Sequence, residues 1–239
     1  MRRFDRRGTR LAGATVLLGL IVGSLGAVTA EAAPIGIPAA TTGAGKTSVA
    51  AEVNLLLDRD LETPGGEAES LQAFAKGSIG VDDRLDLEFR LGFGDVTISQ
   101  PGGDVDTDIG PAFGAGFKVT WANIPDAHIK IGTAFQTLRI RADEGANRAS
   151  WAEYDAALGV VLDASATVDP KRRGTEFMLM PYGGLAWSGV DNGVAGGQED
   201  DSFGLFLGLG AKSRSNVTLG LELRLVDQTA LALSAGMAF

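Results

Sequence analysis

The last nine residues, 231–239, constrain this chain most strongly. Leu231, Leu233, Ala235, Met237 and Phe239 fall on one parity, and alanine, serine and glycine fall on the other. Successive side chains of a β-strand point to opposite faces, so this alternation predicts a strand with one apolar face. A tilted strand needs about nine to eleven residues to cross a bilayer. The ending therefore predicts a strand that faces lipid and stops on an aromatic residue.

The same two-residue period recurs along the chain, and no segment from residue 49 onward carries a clean helical stripe. In residues 217–225, valine and four leucines alternate with threonine, glycine, glutamate and arginine. In a soluble β-sandwich, the solvent-facing side of each strand would carry long and varied polar side chains. Here the second face mixes glycines with single charges of both signs, which suits the crowded inside of a narrow barrel. The fold class predicted is all-β: an antiparallel up-and-down transmembrane β-barrel.

About ten strands are predicted, and eight is the alternative. They lie at 49–60, 70–80, 84–99, 110–122, 128–141, 151–163, 175–189, 202–213, 216–226 and 229–239. Short connections at 81–84, 122–127 and 213–215 alternate with longer polar ones at 61–69, 100–108, 143–149 and 190–201. Outer-membrane barrels have short periplasmic turns and longer external loops. The connections at 164–174 and 227–228 break this rule, being long for a turn and short for a loop.

With this topology the aromatic side chains fall into two belts, as expected at the two membrane–water interfaces. The belt at the external rim comprises Phe93, Phe113, Trp187 and Phe203. The belt at the periplasmic rim comprises Trp121, Phe177 and Phe239.

The amino terminus has the features of a secretory signal peptide, which we place at residues 1–32. Five arginines within the first ten residues precede an apolar run and an Ala30-Glu-Ala32 cleavage site; cleavage after Ala30 is the alternative. An amino-terminal membrane anchor is the rival reading of this segment. Removing residues 1–30 changes the formal charge from −9 to −13, because five arginines and Asp5 leave. An acidic chain argues against a nucleic-acid partner.

The mature chain divides into a disordered lead-in at residues 33–48, rich in Pro, Gly, Ala and Thr, and one barrel domain at residues 49–239. The chain has no cysteine, which excludes disulfides, iron–sulfur clusters and thiolate zinc sites.

The chain resembles the small bacterial outer-membrane β-barrel family, the broad group with OmpA-, OmpX- and OmpW-like barrels. The resemblance covers residues 49–239 and rests on the terminal Phe239, on glycine–aromatic alternation and on the sequence PYGGLAWSG at residues 181–189. It implies the outer membrane of a Gram-negative-type bacterium, with lipid and lipopolysaccharide as surroundings. It also implies recognition by the barrel-assembly machinery through the carboxy-terminal strand. The family includes adhesins, passive pores, anchors and a few enzymes, so the resemblance does not select an activity.

The inward parity carries charges of both signs, as a low-dielectric interior requires. The charged residues predicted to face the lumen are Glu52, Lys76, Asp86, Glu88, Arg90, Lys118, Lys130, Glu153, Asp155, Glu176, Lys212, Glu222 and Arg224. Arg139 joins them only if a bulge near Thr137 shifts the register. The expected arrangement is a salt-bridged plug of a narrow barrel; the alternative is a polar track for ions or small solutes.

Other candidate sites are weaker. Residues 40–47 match a relaxed P-loop pattern but precede a strand rather than a helix. The aspartates at 104, 106 and 108 resemble the start of a calcium loop, which fails at its glycine and at position twelve. His128 is the single histidine, at the predicted periplasmic end with no serine beside it in sequence. We predict no catalytic residues, no cofactor and no metal.

The function predicted is therefore a non-enzymatic outer-membrane barrel. Its role is structural or in surface interaction, through acidic external loops and a salt-bridged lumen. The alternatives are a narrow porin-like channel for small solutes or ions, and a soluble periplasmic β-domain.

Overall fold

The computed structural model describes residues 34–61, 66–99, 103–144, 147–163, 177–192, 200–226 and 228–239. The signal peptide predicted at 1–32 and the connection at 164–174 lie outside these ranges. In the described residues the strands are β1 (Thr47–Asp58), β2 (Asp60–Leu61), β3 (Gly66–Gly80), β4 (Leu85–Gly94), β5 (Thr97–Ser99), β6 (Val105–Asp106), β7 (Gly110–Ile124), β8 (Ile129–Glu144), β9 (Asn147–Leu162), β10 (Phe177–Asn192), β11 (Asp200–Ser213), β12 (Val217–Leu225) and β13 (Thr229–Ala238). One single-turn 3₁₀ helix covers Pro125–Ala127.

Ten of these strands form the wall of a closed barrel: β1, β3, β4 and β7 to β13. Each is antiparallel to its neighbours, and β1 closes the ring by pairing with β3 on one side and β13 on the other. The seam runs from Ser48 opposite Ala238 to Asp58 opposite Thr229. The strand predicted from the last nine residues is therefore the one that closes the ring. The prediction of a ten-stranded antiparallel barrel is confirmed.

The prediction of one strand over residues 84–99 is wrong in its second half. Strand β4 ends at Gly94, where the Asp95 carboxylate accepts a hydrogen bond of 2.7 Å from the Leu71 backbone N–H. The chain then turns, and β5 pairs with residues 67–69 of β3 and with β6. Because the Leu71 N–H bonds to the Asp95 side chain and not to a backbone carbonyl of the neighbouring strand, the ladder of hydrogen bonds between β3 and β4 ends at this point.

The two ends of the barrel differ. The turn end holds Thr47, Phe239 and the short connections 81–84, 125–128 and 214–216. The loop end holds β2, β5, β6, the Glu144 and Asn147 end of the β8–β9 hairpin and the connection between β12 and β13. The short turns agree with the prediction, whereas the longer loop predicted at 143–149 is wrong, because β8 and β9 stay paired as far as Glu144 and Asn147.

The outer face of the wall is apolar. Its exposed side chains include Val49, Phe89, Leu91, Phe117, Leu158, Leu185, Leu207, Leu221 and Leu233. A water-soluble barrel would not expose so continuous an apolar surface, and a barrel in a bilayer must. No helix in the described part of the chain is long and apolar enough to cross a membrane.

The predicted belt residues lie on this outer face near the barrel ends. Phe93, Phe113 and Phe203 are exposed near the loop end, and the half-buried Trp187 pairs with Phe203 across β10 and β11. Trp121 and Phe239 are exposed near the turn end. The Phe177 side chain lies outside the described residues.

Candidate functional site: the lumen

Five buried ionic side chains join the walls of four neighbouring strands, and we call them the charge network. Arg90 donates to Glu52 at 2.7 Å (Nε to Oε2), and Lys76 binds the other oxygen of the same carboxylate. Glu88 receives Lys118 at 3.0 Å and lies 3.6 Å from Arg90 and 3.8 Å from Lys76. Each of the five side chains therefore has an oppositely charged partner within salt-bridge distance, which is the condition for placing charges in a narrow interior.

Two further polar groups lie nearer the loop end. Arg224 donates to Asp155 at 2.8 Å, and Gln136 donates to the other oxygen of that carboxylate at 2.9 Å. Arg59 donates to Ser188 at 2.6 Å and to Gln228 at 3.2 Å, with Glu153 at 3.8 Å. Together with the charge network they cross-link the lumen wall.

Arg139 is the incorrect member of the predicted lumen set. The register of β8 with β7 and β9 is unbroken around Thr137, so Arg139 points outward and is exposed. The irregularities of the wall lie elsewhere, between Leu56 and Asp58 and between Thr120 and Ala122.

Lys130 and Lys212 are half-buried and line a cavity of about 340 Å³, which is also lined by Glu52, Lys76, Glu88 and Lys118, but they form no salt bridge among the described residues. Glu176 lies outside the described residues. The other predicted lumen residues all lie inside the wall.

The lumen also contains a part of the chain predicted as a disordered lead-in, and that prediction is wrong. Residues 34–46, which we call the plug, enter the barrel from the turn end and reach its middle. Its inner end meets Arg90, which donates to the Pro34 carbonyl at 3.1 Å. Near the turn end, the Gly45 N–H donates to the Gly80 carbonyl at 2.8 Å as the chain passes into β1.

Backbone hydrogen bonds to carboxylates hold the plug. Ile35 and Gly36 donate to the two oxygens of Glu222 at 2.8 and 2.7 Å, and that carboxylate also accepts the Tyr182 hydroxyl at 3.1 Å. Thr41 and Thr42 donate to one oxygen of Asp86 at 2.7 and 3.0 Å. Hydrogen bonds to charged acceptors are stronger than neutral ones. Among the lumen carboxylates that the structure describes, Asp86 and Glu222 have no cation within salt-bridge distance, and these two bind the plug.

The apolar side of the plug packs against the opposite wall. Ile35 and Ala39 are fully buried in a cluster with Ala134, Ala157, Val161, Tyr182, Ala186 and Phe206. Inward glycines make the space: a Cβ on Gly159 would lie 2.7 Å from Pro38 Cγ, and one on Gly210 would lie 2.8 Å from Ile37 Cδ1. The room that glycines leave on the inner face is therefore filled by the chain itself.

The residues matching a P-loop pattern belong to the plug. Their amides at 41 and 42 bind the Asp86 carboxylate of the same chain, and a strand rather than a helix follows at Thr47. His128 is exposed at the turn end, with φ of 54° as it closes the 3₁₀ turn, and its N–H donates to the Pro125 carbonyl at 3.1 Å.

An apolar layer, which we call the apolar cap, fills the lumen at the loop end. Its buried members are Leu56, Ala68, Phe74, Val96, Ile98, Ala112, Leu138, Ile140, Trp151, Val190 and Ala230. Val96 and Ile98 come from the segment after β4 that folds back over the opening, and Val105 of β6 packs on them. Sequence periodicity does not predict this layer, because Val96 and Ile98 continue the alternation of β4 in the sequence although the chain has already turned into the lumen after Gly94.

Arg59 is a lumen residue that the sequence analysis missed. A register shift between Leu56 and Asp58 changes the parity of β1, and Arg59, just beyond the strand, becomes fully buried. Nothing in the local sequence marks this shift.

Acidic side chains are exposed at the loop end. Those described include Asp60, Glu67, Glu69, Asp104, Asp106, Asp108 and Asp191. Within the part of the chain described, no three metal-ligating side chains form a group that could hold an ion.

Comparison with known proteins finds likeness only at the level of architecture. No protein-family model and no curated protein matches the sequence. Among solved structures, the beta domain of the Bordetella autotransporter BrkA is 15% identical, with 83% of this chain and 100% of that chain covered and a TM-score of 0.47. The translocator domain of the autotransporter NalP from Neisseria meningitidis is 10% identical over 97% and 95% of the two chains, with a TM-score of 0.41.

An outer membrane channel from Pseudomonas putida F1 is 15% identical over 90% and 100% of the two chains, with a TM-score of 0.40. Likeness at this level carries no information on what the chain binds. The closed ring of ten antiparallel strands and the apolar outer surface are by themselves the architecture of a small bacterial outer-membrane β-barrel.

Proposed function

We propose that this chain is a non-conducting outer-membrane barrel with a structural or surface-interaction role. The turn end faces the periplasm and the loop end faces outward. One observation supports the proposal above the others: the plug, the charge network and the apolar cap obstruct the lumen at successive levels. A passive pore needs a continuous water-filled path, and these three layers together interrupt it.

The acidic surface of the loop end is the part available to partners. The aspartates at 104, 106 and 108 are exposed there, and no described cation pairs with them. We propose that this surface meets cationic groups or divalent ions in the outer leaflet, or a cationic partner.

Conductance in a planar bilayer tests the proposal. Protein extracted from membranes and shown to be folded by heat-dependent gel migration is compared with a variant lacking residues 34–42. We expect no current steps from the wild type and discrete steps from the deletion variant, since the plug is the layer that can be removed without breaking the wall. Steps of uniform size from the wild type would overturn the closed-lumen proposal in favour of a channel.

A full-length double variant provides a second test in case the deletion variant does not fold. Glu222→Gln and Asp86→Asn together weaken the hold on the plug while keeping every strand, and brief current bursts are expected. Silence from a folded double variant and a folded deletion alike would show that the charge network and apolar cap close the lumen without the plug.

We further propose that the barrel-assembly machinery recognises strand β13 and the terminal Phe239. The Phe239 N–H and carbonyl bond with Thr47 across the seam at 2.8 and 3.4 Å, so the same residues complete the ring. Phe239→Ala keeps both backbone bonds and removes only the exposed ring. Slower assembly in cells with unchanged stability of the purified barrel would support recognition of the ring, and unchanged assembly would exclude it.

A further inference from the structure

Two exposed arginines lie on the outer wall of the barrel. Arg139 and Arg141 are exposed and point outward from β8, two residues apart on the same face. They are the only basic residues among the outward-facing side chains that the structure describes on the ten wall strands. A charge on this surface is costly at the bilayer centre and tolerated only near the interface, so the height of the pair on the barrel decides how it is accommodated.

That height matches the lipid headgroups on the loop side. Arg139 lies ten residues after the first residue of β8, Ile129, at the turn end. Ten residues of strand tilted by about 40° climb about 25 Å, which is the height of the apolar band of an outer-membrane barrel. Arg139 pairs across strands with the belt residue Phe113. The pair therefore lies at the outer edge of the apolar band.

The chemistry around the pair suits an anion held from the lipid side. The Arg141 guanidinium lies 5.8 Å from the centre of the Phe113 ring, which holds it against the wall. Tyr154, diagonal to Arg139 on β9, is 42% exposed on the same face. Among the side chains described, no carboxylate forms a salt bridge with either arginine. Guanidinium groups bind phosphate through paired N–H donors.

We infer that Arg139 and Arg141 form a binding site for a phosphate group of an outer-leaflet glycolipid. Phe113 and the neighbouring apolar wall contact the upper part of its acyl chains, and the Tyr154 hydroxyl adds a donor. The site lies on the lipid side of the wall, so it is independent of whether the lumen conducts. It requires only that the barrel spans the bilayer.

Native mass spectrometry of the full barrel with added lipid tests the inference. Wild-type protein is mixed with diphosphorylated lipid A, with its dephosphorylated form and with zwitterionic phospholipid, and the bound fraction is measured. We expect retention of the phosphorylated form and at least about tenfold weaker binding of the other two, because the dephosphorylated form lacks the anion and the single phosphodiester charge of the zwitterionic lipid is neutralised by its own ammonium group. Equal binding of the dephosphorylated form would overturn the inference without the need for any variant.

Variants then locate the site. R139Q/R141Q is expected to reduce binding of the phosphorylated lipid about tenfold or more, whereas R139K/R141K retains part of it through charge alone. The matched control is K46Q/R84Q, which removes two exposed cations from the opposite end. Heat-dependent gel migration verifies that each variant is folded. Unchanged binding in folded R139Q/R141Q would overturn the inference, as would full displacement of the lipid by millimolar inorganic phosphate, which would indicate a site for the free ion.

Discussion

The two halves of the lumen are closed in different ways. The half at the turn end is occupied by a chain segment held through hydrogen bonds to Glu222 and Asp86, and it retains a cavity of about 340 Å³ lined by both charged and apolar residues. The half at the loop end is filled by packed apolar side chains that belong to the wall and to the segment after β4. The first closure is separable from the barrel, whereas the second is part of its core. This difference predicts that perturbations at the two ends will have different consequences.

The largest effect is expected where the two halves meet, at Arg90. Arg90→Met removes the cation that lies between Glu52 and Glu88 and that also binds the Pro34 carbonyl. Glu52 keeps Lys76 and Glu88 keeps Lys118, so the cost is that of the hydrogen bonds from Arg90 to Glu52 and to Pro34, about 1.5–3 kcal/mol for each bond that involves a charged group. Denaturant unfolding followed by gel migration should show a loss of that size. Arg84→Met, at an exposed turn, serves as the control, and a similar loss there would refute the buried-charge explanation.

A somewhat smaller loss is expected from the apolar cap. Ile140→Ala removes a side chain that is 1% exposed and leaves a cavity, which costs about 2–5 kcal/mol in protein cores. We expect lower stability without any current in a planar bilayer, because the lumen below is still filled. Leu185→Ala, on the lipid-facing surface, is the comparison. Current steps from Ile140→Ala would show that the cap, and not the plug, is the closing layer.

Gly210→Leu is expected to displace the plug from the inner face of the wall. The atoms nearest to a Cβ at Gly210 belong to the side chains of Ile37 and Met180, so a leucine there competes with the plug for space. Overpacking costs about 1–3 kcal/mol, which the barrel can avoid by releasing the plug. We expect small current steps and proteolytic cleavage within residues 34–46. Gly77→Leu, where a Cβ has nothing within 4 Å, should show neither; equal behaviour of the two variants would contradict the displacement.

The smallest effect is expected from Asp86→Asn. The amide oxygen still accepts hydrogen bonds from the Thr41 and Thr42 N–H groups, but without charge, so about 1 kcal/mol is lost locally. Hydrogen exchange of these two amides should accelerate about five- to tenfold while the strand amides are unchanged. Equal acceleration throughout β4 would instead indicate loosening of the wall.

The prediction of lumen residues shows where parity reasoning succeeds and fails. Glu52, Glu88, Arg90 and Lys118 were placed inward from alternation alone, and they form the charge network. Arg139 was placed inward only through an assumed bulge, and it points outward because β8 is regular there. Arg59 was missed because a real register shift precedes it. A bulge depends on the fit of two strands, so the sequence of one strand does not locate it.

The sequence by itself determined the ten-stranded barrel, its terminal strand and the composition of its two faces. These follow from the two-residue period of a strand and from the demand that lipid places on the outer surface. Only the tertiary structure decided what fills the lumen. The plug, at 34–46, has no periodicity, because its backbone bonds to carboxylates on β4 and β12 rather than to a neighbouring strand. Such contacts join residues as much as 187 positions apart, and they exist only after the wall has closed around the segment.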